Sequence, residues 1–114
     1  MPVPRDPRLR KALDLTEARL DQPLRLRELA REVALSERSL ARKLMNEIGM
    51  NWTEAQRRLR MIRAVELLAE TREPVTSIAL AVGYGSPSAF GAAFRDFAGQ
   101  SPSEFRADGS IAWP

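Results

Sequence analysis

One short pattern occurs twice in this chain of 114 residues, first as Leu29-Ala30-x-x-Val33-Ala34 followed by Leu40, Leu44 and Gly49, then as Ile78-Ala79-x-x-Val82-Gly83 followed by Phe90, Phe94 and Gly99. The copies superpose at an offset of 49 up to Val82 and of 50 from Phe90 onward, so one residue is added between them, where a tight turn belongs. Each copy reads as two short helices joined by a sharp bend, with an alanine early in the first helix that is small enough for the second to cross over it. Ala34 and Gly83 stand where the bend begins. Such bends often need left-handed backbone, which glycine adopts freely and alanine only at a cost of about 1 kcal/mol. Two helix-turn-helix units in one chain imply a protein able to read two stretches of DNA groove.

The length suits one domain, or two small ones sharing a linker, and leaves no room for a separate enzyme or receptor domain. Cysteine and histidine are both absent, which removes disulfides, thiolate nucleophiles, most zinc sites and the usual general base at neutral pH. The acidic residues show no recognisable pairing, so the chain reads as no enzyme, with neither a metal nor a cofactor implied. No apolar run approaches the ~18 residues of a membrane span, and no charged, apolar and small-residue leader opens the chain. The expectation is a cytoplasmic protein with no membrane partner.

Sixteen of the eighteen basic residues are arginine, the net charge is +3 and the pI is about 10.2. Their placement is uneven. From Arg38 to Arg63 seven basic residues (Arg38, Arg42, Lys43, Arg57, Arg58, Arg60, Arg63) face only Glu47 and Glu54, a net of +5, whereas from Val75 to Arg106 two basic residues balance two acidic ones. The first repeat and the helix after it carry the charge expected of a phosphate-binding surface; a solvated helix face would carry the same charge.

Helical spacing predicts an all-α chain of about seven helices. Asp6-Pro7 opens the first helix, which should run to about Leu20 with Leu9, Ala12, Leu13 and Thr16 on one face. Leu26, Leu29, Ala30 and Val33 mark the second, and Ser36 caps the third, over 36–48, with Leu40, Leu44 and Ile48 inward and Gly49 as its stop. Asn51 and Glu54 form a capping box that opens a long fourth helix through about Glu70, with Ala55, Leu59, Ile62, Val65 and Ala69 on one face, joined by Leu67 and Leu68. At 1.5 Å per residue it would span roughly 27 Å as a strut between the two units. Pro74 precedes a fifth helix, Ser86-Pro87 starts a sixth over 86–98 with the stripe Phe90, Phe94 and Phe97, and Ser101-Pro102-Ser103-Glu104 boxes a short seventh through Arg106. The expected organisation is a linker at 1–6, a first unit at 7–50, a linker helix at 51–71, a second unit at 74–106 and a frayed tail at 107–114.

The second repeat, Ile78-Ala79-x-x-Val82-Gly83-Tyr84, then Ser86-x-Ser88-x-Phe90-x-x-x-Phe94-Arg95 and Gly99-x-Ser101-Pro102-x-x-Phe105-Arg106, resembles the DNA-binding domain of the AraC/XylS family of bacterial transcription regulators. Arg60-Met61-x-x-Ala64-x-x-Leu67-Leu68 agrees with it in the connecting helix, and the resemblance covers about residues 7 to 106. It implies seven helices, two helix-turn-helix subdomains joined by the fourth helix, and recognition by the third and sixth in successive major grooves of double-stranded promoter or operator DNA.

By this resemblance Arg38, Ala41 and Arg42 face base edges, and Arg42 is the foremost candidate because a guanidinium hydrogen-bonds guanine O6 and N7 bidentately. The corresponding positions of the sixth helix are Pro87, Ser88, Gly91 and Ala92, with no long polar side chain among them, so direct readout there is limited to Ser88 and thymine-methyl contacts. Lys43 and Arg95 are phosphate candidates, and the amino ends of the fourth and seventh helices, at Thr53 and Ser103, offer backbone N–H groups to phosphates, with Arg57 one turn in. The first unit is expected to supply most of the sequence specificity and the second to add affinity. Trp52 departs from the proline and aromatic that the family tends to place after the first glycine, and is expected to fill the missing aromatic's volume.

Family members generally carry this module behind a domain that senses a small molecule or dimerises, so a small-molecule effector would act only through a domain not in this sequence. Met-Pro-Val-Pro-Arg-Asp-Pro resembles an interdomain linker, and the expectation is a fragment of a longer, nucleoid-associated regulator, monomeric by itself and contacting RNA polymerase. A small stand-alone member is the other possibility. The alternative reading is a helical protein-interaction module that contacts RNA polymerase and holds DNA only non-specifically.

Overall fold

Seven α-helices and no strand make up residues 3–108, the part of the chain that the computed structural model describes: α1 (Pro7–Ala18), α2 (Leu26–Glu32), α3 (Glu37–Glu47), α4 (Trp52–Glu70), α5 (Val75–Ala81), α6 (Pro87–Ala98) and α7 (Pro102–Asp108). They fold as two compact units, Met1–Leu59 and Arg60–Pro114, so α4 contributes to both.

The caps explain where the helices begin. Asp6 accepts a hydrogen bond from the Arg8 N–H at 2.8 Å, Ser36 from that of Ser39 at 3.0 Å and Ser86 from that of Ala89 at 3.1 Å. Each such cap is worth about 1 kcal/mol over alanine. Both capping boxes form: the Glu54 N–H donates to Asn51 Oδ1 at 2.9 Å and the Asn51 N–H to Glu54 Oε1 at 3.5 Å, while Ser101 and Glu104 exchange the same pair of bonds at 3.1 Å each.

The two bends share one hydrogen-bond pattern. Ala34 stands at φ 57° and Gly83 at φ 91°, both left-handed. Past each, the N–H of the next residue returns to the carbonyl of the small residue in the preceding helix, Leu35 to Ala30 and Tyr84 to Ala79, both at 2.9 Å. These are the six-to-one bonds of the motif that ends a helix on a left-handed residue. The equivalence holds through Tyr84, so the inserted residue is Gly85, immediately before the Ser86 cap.

The first core gathers Leu9, Ala12 and Leu13 from α1 with Leu29, Ala30, Val33, Leu40, Leu44, Ile48 and Ala55, and Trp52 packs on it partly buried. In the second, Met61, Ala64, Val65 and Leu68 of α4 meet Ile78, Ala79, Val82 and an aromatic row. Its ring centroids lie 5.7 Å apart from Tyr84 to Phe90, 5.8 Å from Phe90 to Phe94 and 5.7 Å from Phe94 to Phe105. Phe97 is only half-buried against this core.

Three expectations are corrected. The first helix ends at Ala18, because the Arg19 N–H turns back to Thr16 at 3.1 Å; Leu20 is buried although it lies outside the helix, which is why the periodicity continued through it. The inward face of α4 is not the stripe predicted, since Ala69 is exposed and Ile62 half-buried while Met61 and Ala64, outside that stripe, are buried along with the expected Leu68. One helix serving two cores need not keep one face inward, and the division between the units falls within it, after Leu59. Ala107 and Asp108, expected in a frayed tail, complete α7, and the rest of that tail, 109–114, lies outside the described residues.

Arg106 of α7 holds the end of α4. Its guanidinium donates to the carbonyls of Leu68 at 3.2 Å, Thr71 at 3.3 Å and Glu73 at 2.5 Å. Leu68 lies in the last turn of α4, where a cation is favoured by an unpaired carbonyl and by the helix dipole together, while Thr71 and Glu73 belong to the segment that follows it. Arg106 is thus a structural residue, not a phosphate-facing one.

Candidate nucleic-acid interface

Ser36 fixes the start of α3 and Leu40 and Leu44, with Ile48 at its C-cap, fix its inward side, so the opposite face is set by helical geometry. That face carries Arg38, Ala41, Arg42, Met45 and Asn46, all exposed. Neither Arg38 nor Arg42 has an ion-pair or hydrogen-bond partner among the described residues. Glu37, in the same first turn as Arg38, lies 3.8 Å from Arg27 of α2 across an exposed pair.

At the offset of 50 the same positions of α6 are Ser88, Gly91, Ala92, Arg95 and Asp96. Pro87, Ser88, Ala92 and Arg95 are exposed and Gly91 is half-buried. A Cβ built on Gly91 meets nothing within 4 Å, and its φ is not left-handed, so neither packing nor backbone shape calls for glycine there. Arg95 is turned to Glu104 of α7 at 3.4 Å. Glu104 is held below the ordinary carboxylate range by the hydroxyl and backbone N–H of Ser101, with Arg95 a smaller contributor.

Lys43 is placed elsewhere than on the outward face. It lies on the flank of α3, and its Nζ meets Asp6 Oδ2 at 2.7 Å. Asp6 is thereby driven far below the usual carboxylate range, first by Lys43 and then by the backbone N–H and side chain of Arg8. Thr53 and Ser103 are exposed in the first turns of α4 and α7, and Arg57 is exposed one turn further along α4. Each capping box already occupies two of the N–H groups at its helix start, which narrows what remains for a phosphate.

The structure therefore brings Arg38, Ala41 and Arg42 together on one exposed face, and Ser88, Gly91 and Ala92 on its counterpart. Met45 and Asn46 belong to the first of these faces although neither is among the sequence-derived candidates; their spacing of three and four residues from Arg42 is the signal that places them there. Asn46 is apt for adenine, whose N6 and N7 an amide bonds bidentately, and Met45 for a thymine methyl.

A helix-turn-helix domain family model matches residues 29–108. The HTH-type transcriptional regulator ArgR of Pseudomonas aeruginosa is 33% identical over 100 residues, which are 88% of this chain and 30% of that protein. The chain thus spans under a third of the length of this curated relative. A transcriptional regulator with an AraC-type DNA-binding domain from Chromobacterium violaceum superposes with a TM-score of 0.85 at 31% identity, over 94% of this chain and 96% of that one. The DNA-binding domain of AdpA, a global transcriptional factor solved with a target DNA, has the same fold with a TM-score of 0.81 at 24% identity, over 90% and 93% of the two chains. Two helix-turn-helix units with these motifs, the matched family model and relatives that are transcription regulators rather than enzymes agree: the chain belongs to the AraC-type family of transcription regulators and is a helix-turn-helix DNA-binding domain of that family.

Proposed function

We propose that this domain reads specific double-stranded DNA at bacterial promoters with α3 and α6 in successive major grooves, and that the two helices read it unequally. The observation that carries this reading is the exposed face of α3, where Arg38 and Arg42 are uncommitted while Lys43, Arg95 and Arg106 are all bonded within the protein. Arg42 is assigned to a guanine, Arg38 to a base edge or a neighbouring phosphate, and Ala41 to a close apolar contact. On α6, Ser88 supplies the hydrogen-bonding group, and Pro87, Gly91 and Ala92 bring the helix backbone near the groove floor. Thr53, Arg57 and Ser103 are assigned to phosphates, which fix register without selecting sequence.

The domain acts in the cytoplasm as the portion of a longer regulator that meets the DNA, as one monomer, with RNA polymerase as its protein partner. The short span relative to ArgR supports the longer regulator, and the AdpA domain, which shares this fold and was solved with a target DNA, supports DNA as the ligand.

Selection from a randomised duplex pool tests the reading. A motif of two blocks about one helical turn apart is expected, with the α3 block sharply defined and the other tolerant. Arg42→Ala should then cost about 1–3 kcal/mol on the preferred site and little on other sequences. Uniform weakening would make Arg42 a phosphate contact, equal discrimination in both blocks would refute the asymmetry, and salt-sensitive binding without any motif would favour a protein-interaction module.

A further inference from the structure

The segment that leads into α1 is fastened to the flank of the recognition helix α3. Glu47 Oε1 accepts hydrogen bonds from the backbone N–H groups of Arg5 at 2.5 Å and Asp6 at 3.1 Å, and the Asp6 carboxylate meets Lys43 at 2.7 Å. Lys43 and Glu47 stand one turn apart on α3, so a single dipeptide engages both. The contact is well covered, with the Asp6 side chain 15% and that of Lys43 30% exposed. We infer that Arg5 and Asp6 form a latch on α3: seated, they neutralise Lys43, and released, they free it to take a DNA phosphate. The inference rests on the assignment of α3 to DNA.

Three features suit this pair to exchange. Lys43 directly follows Arg42, so a freed ammonium on a four-carbon stem lies at the margin of the DNA-facing surface. Asp6 keeps other partners when Lys43 leaves, because Arg8 donates to it from its backbone N–H at 2.8 Å and from its side chain at 3.4 Å. Release therefore strands no carboxylate, and the helix cap survives it. Finally, Glu47 grips backbone N–H groups, so the latch responds to the path of the chain through residues 5 and 6 rather than to the identity of their side chains. A displacement of the chain ahead of Asp6 is converted into a change of charge beside the recognition helix.

The test compares wild type, Asp6→Asn, Lys43→Met and the double variant on one random-sequence duplex over a range of salt. Asparagine caps a helix as well as aspartate does, so Asp6→Asn removes the pair and spares α1, as circular dichroism and the melting midpoint verify. One added phosphate contact steepens the salt dependence by about 0.9 in logarithmic slope, so the affinity advantage of Asp6→Asn over wild type should shrink about 3.5-fold between 50 and 200 mM salt. The advantage must vanish when Lys43→Met is the background. An advantage that persists there is a general effect of removing one negative charge and overturns the latch, as does an unchanged salt slope in Asp6→Asn. Asp6→Ser, which also retains a capping oxygen, repeats the comparison if the asparagine variant folds poorly. Because random duplex is the probe, loss of the sequence-specific reading would show in the pool selection and leave this comparison intact.

Discussion

Gly91→Ala separates what α6 needs for folding from what it needs for DNA. Glycine inside a helix is less favourable than alanine by about 0.8–1.0 kcal/mol, from the backbone freedom it loses. A Cβ at position 91 meets no atom within 4 Å, the backbone is not left-handed, and the equivalent position of α3 is already Ala41. The full propensity difference should therefore appear as stability: a gain of about 0.8 kcal/mol, read as a rise of roughly 3–5 °C in melting midpoint for a chain of this size. If that glycine lets the helix backbone approach the groove floor, the added methyl stands between protein and base edges. The stabilised variant should then bind the selected site at least several-fold more weakly, with little change on random duplex. Thermal and urea denaturation give the first number and titration of a labelled duplex the second. A variant no more stable than wild type would refute the folding account, and a stabilised variant with unchanged site affinity would refute close approach by α6.

Ala34→Gly should raise the denaturation midpoint, because relief of left-handed strain worth about 1 kcal/mol exceeds the added freedom of the unfolded chain by a few tenths. The reciprocal Gly83→Ala should lower it by more, since φ there is 91° against 57° at Ala34; a lowered midpoint for Ala34→Gly would mean that Ala34 carries no such strain. Acid should destabilise the fold, because Asp6, Glu32 and Glu104 all have depressed pKa values, Asp6 through Lys43, Glu32 through Arg19 and Glu104 through Ser101. Groups depressed in the folded state stabilise above their unfolded values of about 3.9–4.3 and lose that contribution as pH falls through this range toward their folded values. The midpoint should be flat from neutrality to about pH 5 and fall below it, with a shallower fall in Glu32→Gln; a midpoint that rises on acidification would reverse the sign.

Much of this architecture was legible because it is local. The capping boxes at Asn51 and Ser101, the caps at Ser36 and Ser86 and the left-handed positions at Ala34 and Gly83 depend on residues within a few positions of one another. So does the outward face of α3, since Leu40, Leu44 and Ile48 define its inward one. Long-range contacts were hidden. The sequence places Asp6 41 residues from Glu47, and nothing in either neighbourhood announces the pair. Arg106 likewise looks like any basic residue until its guanidinium is found on carbonyls up to 38 positions away. The changing face of α4 escaped for a related reason, because a periodicity argument assumes one core per helix, and this helix serves two.

On the proposed reading, building the fold and reading DNA draw on different sides of the same helix. Inward, α6 answers the Leu40 and Leu44 of α3 with Phe90 and Phe94, and both pairs are fully buried. Outward, Arg38, Ala41 and Arg42 are answered by Ser88, Gly91 and Ala92, a loss of two guanidinium groups and most of the side-chain reach. The inward exchange keeps the second core rigid enough to present a helix, while the outward one leaves few hydrogen-bonding groups to present. A helix built in this way would discriminate through the shape of the groove and through thymine methyl groups more than through donors and acceptors. The second half-site should therefore tolerate substitutions that preserve groove width and resist those that replace thymine. Affinity measured on duplexes with uracil in place of thymine is the direct check, because uracil removes the methyl alone: a larger fractional loss in the α6 block is expected than in the α3 block, where Arg42 stands beside the apolar Ala41 and Met45, and equal losses in both blocks would refute this division.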